Sequence, residues 1–442
     1  MRNFWLGYWF KDWNFPYKIG YSIVITGSRT YFKNFKYLGK EKIPKNAGII
    51  YAVNHQNAFL DPIVIAGQAD NPINFLARAD IFKNKFVYKL LRKLYMLPIY
   101  RQRDGVDTIE KNQKTFEDCY EILNNNGHLI IFPEGNHNHK KTLRTLKKGV
   151  SRIALGTLSK HGNKNSLFIV PIGIDYENHF SMNADVLLNV GNPIKINDYF
   201  EEYVKNPVEV INKLTQQVRQ NLELVLINIQ DHENYDEIYY LLHRFSLNNE
   251  NKTEKKFSLR ISLLSKLEWL KENEIRTYEK LLIDIKIVRS FVKENKIRPY
   301  LLKNSPLSFF KIFILSLLMT IAFPLHLITL STNYLPYKIP VWFVENKIKD
   351  RTFHGSLKQA IGVLLFTIYW TILILFTYLY FGKELTLLTT FLLPIFAILN
   401  FKYWILLIKL KGAWNYRRAI KKENFSLAIK AFNSINKNLG IK

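Results

Sequence analysis

One cysteine in 442 residues leaves Cys119 nothing to pair with, so no internal disulfide and no multi-cysteine zinc or iron–sulfur site can form. A stapled secreted scaffold is therefore excluded. Acidic side chains are also scarce, with 36 Asp and Glu against 63 Lys and Arg, a formal charge of +27. Of the basic residues 46 are Lys and 17 Arg, and Asn and Ile are abundant. Codon bias contributes to such a pattern, so the distribution of charge says more about partners than its sum. No Gly-x-Gly-x-x-Gly follows a strand, no Walker A loop occurs and no internal repeat is found, which removes the common nucleotide-binding and solenoid readings. The opening MRNFWLGYWFKDWNFPYK has no apolar h-region and no small-residue cleavage site, and so reads as no secretory signal. Disorder is excluded by 48% hydrophobic and 14% aromatic residues. At roughly 150 residues per domain, the length suggests two or three units.

Long apolar runs are present, and they lie late in the chain. Residues 307–330 are interrupted only by Lys311 and His326, 361–381 carry no charge, and 385–408 contain only Lys402, with Pro394 in the middle. A bilayer span needs about 20 such residues. The pair at 361–408, joined by Gly382-Lys-Glu, predicts a helical hairpin through a membrane. Residues 409–442 hold nine Lys or Arg and one Glu, and 331–360 hold five against two acids, which places both flanks on the cytoplasmic side. Pro324 leaves 307–330 open between a crossing and a re-entrant segment. At the other end Trp5, Tyr8, Trp9 and Trp13 recur at helical spacing, suited to a membrane interface or to packing on a core.

Between 45 and 200 the pattern alternates. Strand-like runs at 48–53, 96–100, 129–132 and 167–174 are separated by helix-like stretches at 84–94, 109–123 and 147–158. This predicts an α/β fold, a mostly parallel sheet with covering helices, followed by a C-terminal helical membrane region. Ile211, Leu214, Val218, Leu222, Val225 and Ile229 mark an amphipathic helix, and 232–304 is charged, helix-prone and without a chemical motif. The expected organisation is an aromatic interfacial segment at 1–30, a catalytic domain at 31–205, a helical extension at 206–304 and a membrane region at 305–442.

Three segments carry chemistry: AsnHisGlnAsnAlaPheLeuAsp at 54–61, PheProGluGly at 132–135 and ValProIleGly at 170–173. Each is expected to follow a strand, where parallel sheets place their sites. His55 suits a general base and Asp61 the carboxylate that orients it, the base-and-orienter half of a triad. With no Ser elbow and no reactive Cys, the nucleophile would be a substrate hydroxyl. Glu134 and Gly135 precede the basic run 140–149, either a solvent-exposed face or, lying next to the site, a cationic funnel for anions. His137 and His139 form a poor metal pair without further ligands, so no metal is expected.

These blocks resemble the glycerolipid acyltransferases, which share an AsnHis…Asp block and a PheProGluGly block. The resemblance covers about residues 40–200. It implies acyl transfer from acyl-CoA or acyl carrier protein to a glycerophosphate hydroxyl, with no other cofactor. It further implies His55 as base with Asp61 as its partner, and Glu134 and Gly135 in acceptor binding. Arg101 or Arg103, in LeuProIleTyrArgGlnArg, would match the family's Arg block, and Arg78, Lys147 and Lys148 are further phosphate ligands. One departure is that five residues, not four, separate His55 from Asp61. That spacing, the LeuLysLysGlyValSerArg run and GlyAsnProIle at 191–194 are similar to the fungal-type branch acting on glycerol 3-phosphate or dihydroxyacetone phosphate. The expected protein is an integral membrane enzyme of phospholipid biosynthesis with its catalytic domain on the cytoplasmic face. The alternatives are another lysophospholipid or amino-lipid acceptor, or a non-catalytic membrane scaffold. A nucleic-acid partner is not expected, for want of any recognisable motif.

Overall fold

The computed structural model describes residues 13–100, 108–178, 180, 182–245, 252–303 and 306–440. The chain divides into two compact units, one of residues 1–228 with 350–356, the other of 229–349 with 357–442.

The first unit is built on an eight-stranded mixed sheet. Its strands are β1 (Asn34–Leu38), β2 (Gly48–Val53), β3 (Ile73–Arg78), β4 (Met96–Ile99), β5 (His128–Ile131), β6 (Leu167–Tyr176), β7 (Asp185–Val190) and β8 (Ile194–Lys195). They lie in the order β1-β7-β6-β2-β5-β3-β4, with β8 also paired to β6. The run β6-β2-β5-β3-β4 is parallel, while β7 and β8 pair antiparallel to β6 and β1 lies parallel to β7. The mostly parallel sheet is thus extended by an antiparallel turn-back that the apolar runs did not announce. The expected ValProIleGly loop is also different. Residues 170–173 lie inside β6, with Pro171 opposite Ala52, and do not follow the strand.

Helices cover both faces. Every residue of β2 is buried, and successive side chains point to opposite sides. Ile50 and Ala52 join Cys119, Leu123, Val150, Ile153 and Leu155 from α4 (Thr108–Asn124) and α5 (Gly149–His161). Ile49, Tyr51 and Val53 join Leu60, Val64 and Ile65 of α2 (Leu60–Ala66). The helix α7 (Pro207–Glu223), expected in an extension, buries Val210, Leu214, Val218 and Leu222 in the first of these cores, so the boundary falls at 228/229 and not at 205/206. Around it run α1 (Phe15–Tyr31), α3 (Lys85–Lys93) and α6 (Phe200–Lys205). Trp13 is buried against Tyr17 and Tyr21, a packing role and not an interfacial one. Trp5, Tyr8 and Trp9 lie outside the described residues.

The second unit is helical: α8 (Tyr235–Tyr240), α9 (Thr253–Asn273), α10 (Ile275–Glu294), α11 (Phe309–Ile321), α12 (Phe323–Ser331), α13 (Tyr334–Lys347), α14 (His354–Ala419) and α15 (Phe425–Leu439). The stretch 351–419 is long and apolar enough to cross a membrane by length and composition, and α11 and α12 pass that test only as a pair bent by 50°. Gly382, at φ 81° and ψ 177°, breaks α14. Tyr369 donates to the Ser331 carbonyl at 2.8 Å, and Tyr403 stacks on His326 with ring centres 3.9 Å apart. A straight helix would hold positions 369 and 403 about 51 Å apart. Their partners are five residues apart on α12, so the two arms fold back on each other at Gly382.

Candidate active site

His55 follows the carboxyl end of β2, and its backbone is clamped from both sides. Its N–H donates to Glu134 Oε1 at 2.8 Å, and its carbonyl accepts from the N–H of Asn138 at 2.9 Å. The imidazole stacks on Phe132, with ring centres 4.0 Å apart, and meets His137 edge-on at 5.5 Å. Nδ1 lies 2.8 Å from Asp61 Oδ2. A carboxylate only accepts, so Nδ1 carries the hydrogen and Nε2 is left to face a substrate.

Asp61 sits in the first turn of α2 and is fully buried. Its Oδ2 also accepts from the backbone N–H of Gln56 at 2.7 Å and of Asn57 at 2.8 Å, and Oδ1 accepts from the Tyr176 hydroxyl at 2.8 Å. Burial, then the charge of Asp61, drives the Tyr176 phenol well above its ordinary pKa, so it remains a donor. The five-residue spacing works because Asn57 Oδ1 accepts from the N–H of Leu60 at 3.1 Å, closing a turn that absorbs the extra residue. Asn54 fixes the neighbouring strand: its amide donates to the Ile174 carbonyl at 3.1 Å and accepts from the Ile174 N–H at 2.7 Å.

Glu134 is buried, and both carboxylate oxygens are engaged within the protein, Oε1 by His55 and Oε2 by Arg144 Nε at 3.0 Å. In this geometry it sets the backbone of His55, where a substrate contact was expected. Gly135 takes φ +71°, a conformation that L side chains avoid, and a Cβ there would lie 3.3 Å from Lys147 Cγ. Lys147 is exposed and tied to the loop by its N–H, which donates to the Pro133 carbonyl at 2.7 Å. Lys148 is exposed beside it. Arg78 ends β3, on the same sheet edge as His55, exposed and paired with Asp80. Arg101 and Arg103 lie outside the described residues.

Several supports escaped the sequence reading. Tyr176 and Arg144 carry no motif of their own, and Asn54 stands in the AsnHis block without an assigned role. Lys141, fully buried, pairs with Asp175 and donates to the Tyr176 carbonyl at 2.8 Å, bracing the strand end that bears the Asp61 donor. Asp350 Oδ2 lies 3.1 Å from His137 Nε2 across 213 positions of sequence, a pairing that no local pattern predicts. Burial raises the Asp350 carboxyl, but hydrogen bonds from Thr352 and His137 outweigh it and hold it down to about 2. Cys119 is no nucleophile, since burial pushes its thiol up to about 12. A cavity of about 280 Å³ lies at the opposite end of the strands, lined by Tyr37, Lys40, Tyr51, Asp70 and His128, away from His55.

The model of the Acyltransferase family matches residues 34–175, the stretch that holds His55, Asp61, Glu134 and Asp175. Over that segment the chain is similar to the Acyltransferase family. The chain is 29% identical over 123 residues to glycerol-3-phosphate O-acyltransferase 2 of Saccharomyces cerevisiae, covering 28% of this chain and 16% of that protein. It is 26% identical over 121 residues to the 1-acyl-sn-glycerol-3-phosphate acyltransferase of Bacillus subtilis, covering 27% of this chain and 55% of that one. The matches therefore span a sixth of the yeast relative and about half of the bacterial one. Among solved structures, the 1-acyl-sn-glycerophosphate acyltransferase of Thermotoga maritima aligns with TM-score 0.33 and 22% identity, over 46% of this chain and 81% of that one. Within this matched segment, the geometry suits deprotonation of a hydroxyl at His55 Nε2, with Asp61 holding the tautomer and supporting the imidazolium.

Proposed function

We propose that the protein is a membrane-bound glycerolipid acyltransferase, moving an acyl group from a thioester donor (acyl-CoA or acyl carrier protein) to a hydroxyl of a glycerophosphate acceptor. The observation that carries this reading is the His55–Asp61 contact of 2.8 Å inside the segment that matches the Acyltransferase family. His55 takes the proton from the acceptor hydroxyl as its oxygen attacks the thioester carbonyl. The tetrahedral intermediate then expels the thiolate, which recovers the proton from His55. No covalent enzyme intermediate is involved. Glycerol 3-phosphate is the acceptor we favour, with 1-acylglycerol 3-phosphate second. Support comes from the five-residue spacing and from the yeast relative, whose name carries glycerol-3-phosphate. Integral membrane attachment is supported by the apolar stretch 351–419, and a cytoplasmic catalytic unit by the basic flanks of that stretch.

The test is transfer of labelled acyl groups by the full-length protein in detergent, with one donor and several acceptors at equal concentration. Label in 1-acylglycerol 3-phosphate is the expected result, label only in phosphatidate reverses the two acceptors, and label only in phosphatidylcholine rejects both. Absence of transfer to every acceptor overturns the enzyme reading.

A further inference from the structure

Residues 350–356 stand far along the chain from the family-matched segment and run into the first turn of the long apolar helix α14, yet they belong to the first unit. Their contacts gather around His55. Asp350 bonds His137, whose ring meets His55 edge-on, and Phe353 packs against both His137 and Phe59 with ring centres 5.2 Å apart in each case. The Thr352 carbonyl accepts from the N–H of Ala58 at 3.4 Å, between His55 and Asp61 in sequence. Asp350 also accepts from the Thr352 N–H at 2.9 Å, which closes the turn.

Arg351 is the member of this segment with no structural duty in ion pairing. It is exposed, its guanidinium lies 5.8 Å from the centre of the Phe180 ring, and among the described residues no carboxylate pairs with it. Its neighbour Asp350 is taken up by His137 and Thr352. On the same side His139 lies 6.2 Å from Phe180. Burial first, and then the positive charges of Arg351 and Lys140, push the His139 pKa down, against the opposing charge of Asp350. A three-carbon acceptor whose hydroxyl sits at His55 carries its phosphate only a few bonds away. The ligand for that phosphate must therefore come from a loop that touches the surroundings of His55, and 350–353 is such a loop.

We propose that Arg351 binds the phosphate monoester of the acceptor, so that a segment outside the family-matched region completes the acyltransferase site, with Asp350 as the positioning residue that fixes the turn. This rests on the acyltransferase reading above. Guanidinium binds phosphate oxygens through paired N–H groups, a geometry that ammonium reproduces only in part.

The experiment compares full-length wild type, Arg351→Gln and Arg351→Lys in detergent, by steady-state kinetics and by binding of glycerol 3-phosphate without donor. Arg351→Gln should raise the acceptor KM and Kd about tenfold, with kcat and donor KM within about twofold, and Arg351→Lys should recover part of the loss. Glycerol 3-phosphate affinity unchanged in Arg351→Gln overturns the inference, as does a rise confined to the donor KM, which would assign Arg351 to the phosphates of coenzyme A. If wild type transfers no acyl group at all, the functional reading fails, while the donor-free binding comparison still decides Arg351.

Discussion

The two units handle apolar side chains in opposite ways. In the first unit, β2, β5 and β6 are buried almost throughout, and their Ile, Val and Leu side chains meet helices on both faces. In the second unit, apolar residues of equal size stand outward along α11, α12 and α14: Leu317, Ile321, Leu364, Leu379, Phe391 and Ile408 are all more than half exposed. Exposed apolar surface on that scale is costly in water and favourable in hydrocarbon. Polar groups find partners within the protein in both units. In the first unit, buried charges are held in specific pairs, Asp61 with His55 and Lys141 with Asp175. In α14, hydroxyls return to the carbonyl one turn back, as Thr377 does to Leu373 at 3.0 Å and Thr390 to Thr386 at 2.8 Å, which satisfies the donor without water. The comparison teaches that hydrophobicity alone does not separate a core from a span; what separates them is whether other elements of the protein cover the apolar side chains.

The contrast is sharpest at the site, and the largest effect is expected there. His55→Ala removes the proposed base and should lower kcat by about 100- to 10,000-fold with unchanged membrane association. Near-normal turnover of the purified variant would sink the assignment. Next in size, Lys141→Met leaves Asp175 buried without its partner, and breaking such a pair typically destabilises by about 3–5 kcal/mol. Denaturant unfolding of the full chain in detergent should show a lowered midpoint. An unchanged midpoint would mean that the pair does not brace the strand end behind Tyr176.

How much of this was legible beforehand differs between the same two regions. His55, Asp61 and the PheProGluGly turn are readable because part of their chemistry is local: the bonds from His55 Nδ1 and from the Gln56 and Asn57 N–H groups to Asp61 lie within seven consecutive residues. The apolar stretches are readable because span length is a one-dimensional property. What the sequence conceals is whatever depends on distant pairing. β1 lies beside β7 across about 150 positions, Tyr176 reaches Asp61 across 115, and Asp350 reaches His137 across 213. Glu134 illustrates the limit from the other side. Its motif marks it as part of the site, but only the positions of the His55 N–H and Arg144 show that its oxygens point into the protein.

Acid should separate the units further. His128 begins β5, nearly buried, with the Tyr51 hydroxyl 3.3 Å from its Nδ1. Burial lowers its pKa from 6.5 to about 4, opposed by the charge of Asp70. Between those two values the unfolded chain binds a proton that the folded chain does not, so the contribution to stability falls as pH drops from 6.5 towards 4. Its full extent is roughly 3 kcal/mol. His128→Gln should flatten that part of the stability–pH curve of the first unit. An equal slope in wild type and variant would place the acid sensitivity elsewhere.

The smallest effect concerns the fold-back of the second unit. Gly382 takes φ 81° and ψ 177°, a region occupied almost only by glycine, and an added Cβ there would meet nothing within 4 Å. The penalty of Gly382→Ala is therefore purely conformational, about 1–3 kcal/mol, with no steric clash to obscure it. The geometry itself can be measured directly. Cysteines introduced at the exposed positions Leu364 and Ile408 accept spin labels, while the native Cys119 is fully buried and should not compete. If α14 were continuous, those positions would stand about 66 Å apart. With the arms folded back at Gly382 they should lie within about 20 Å, a helix–helix separation plus an offset of eight residues. A distance near the longer value in wild type would remove the hairpin. A short distance in wild type that lengthens or broadens in Gly382→Ala would show that the conformational freedom of one glycine lets the two apolar arms lie side by side.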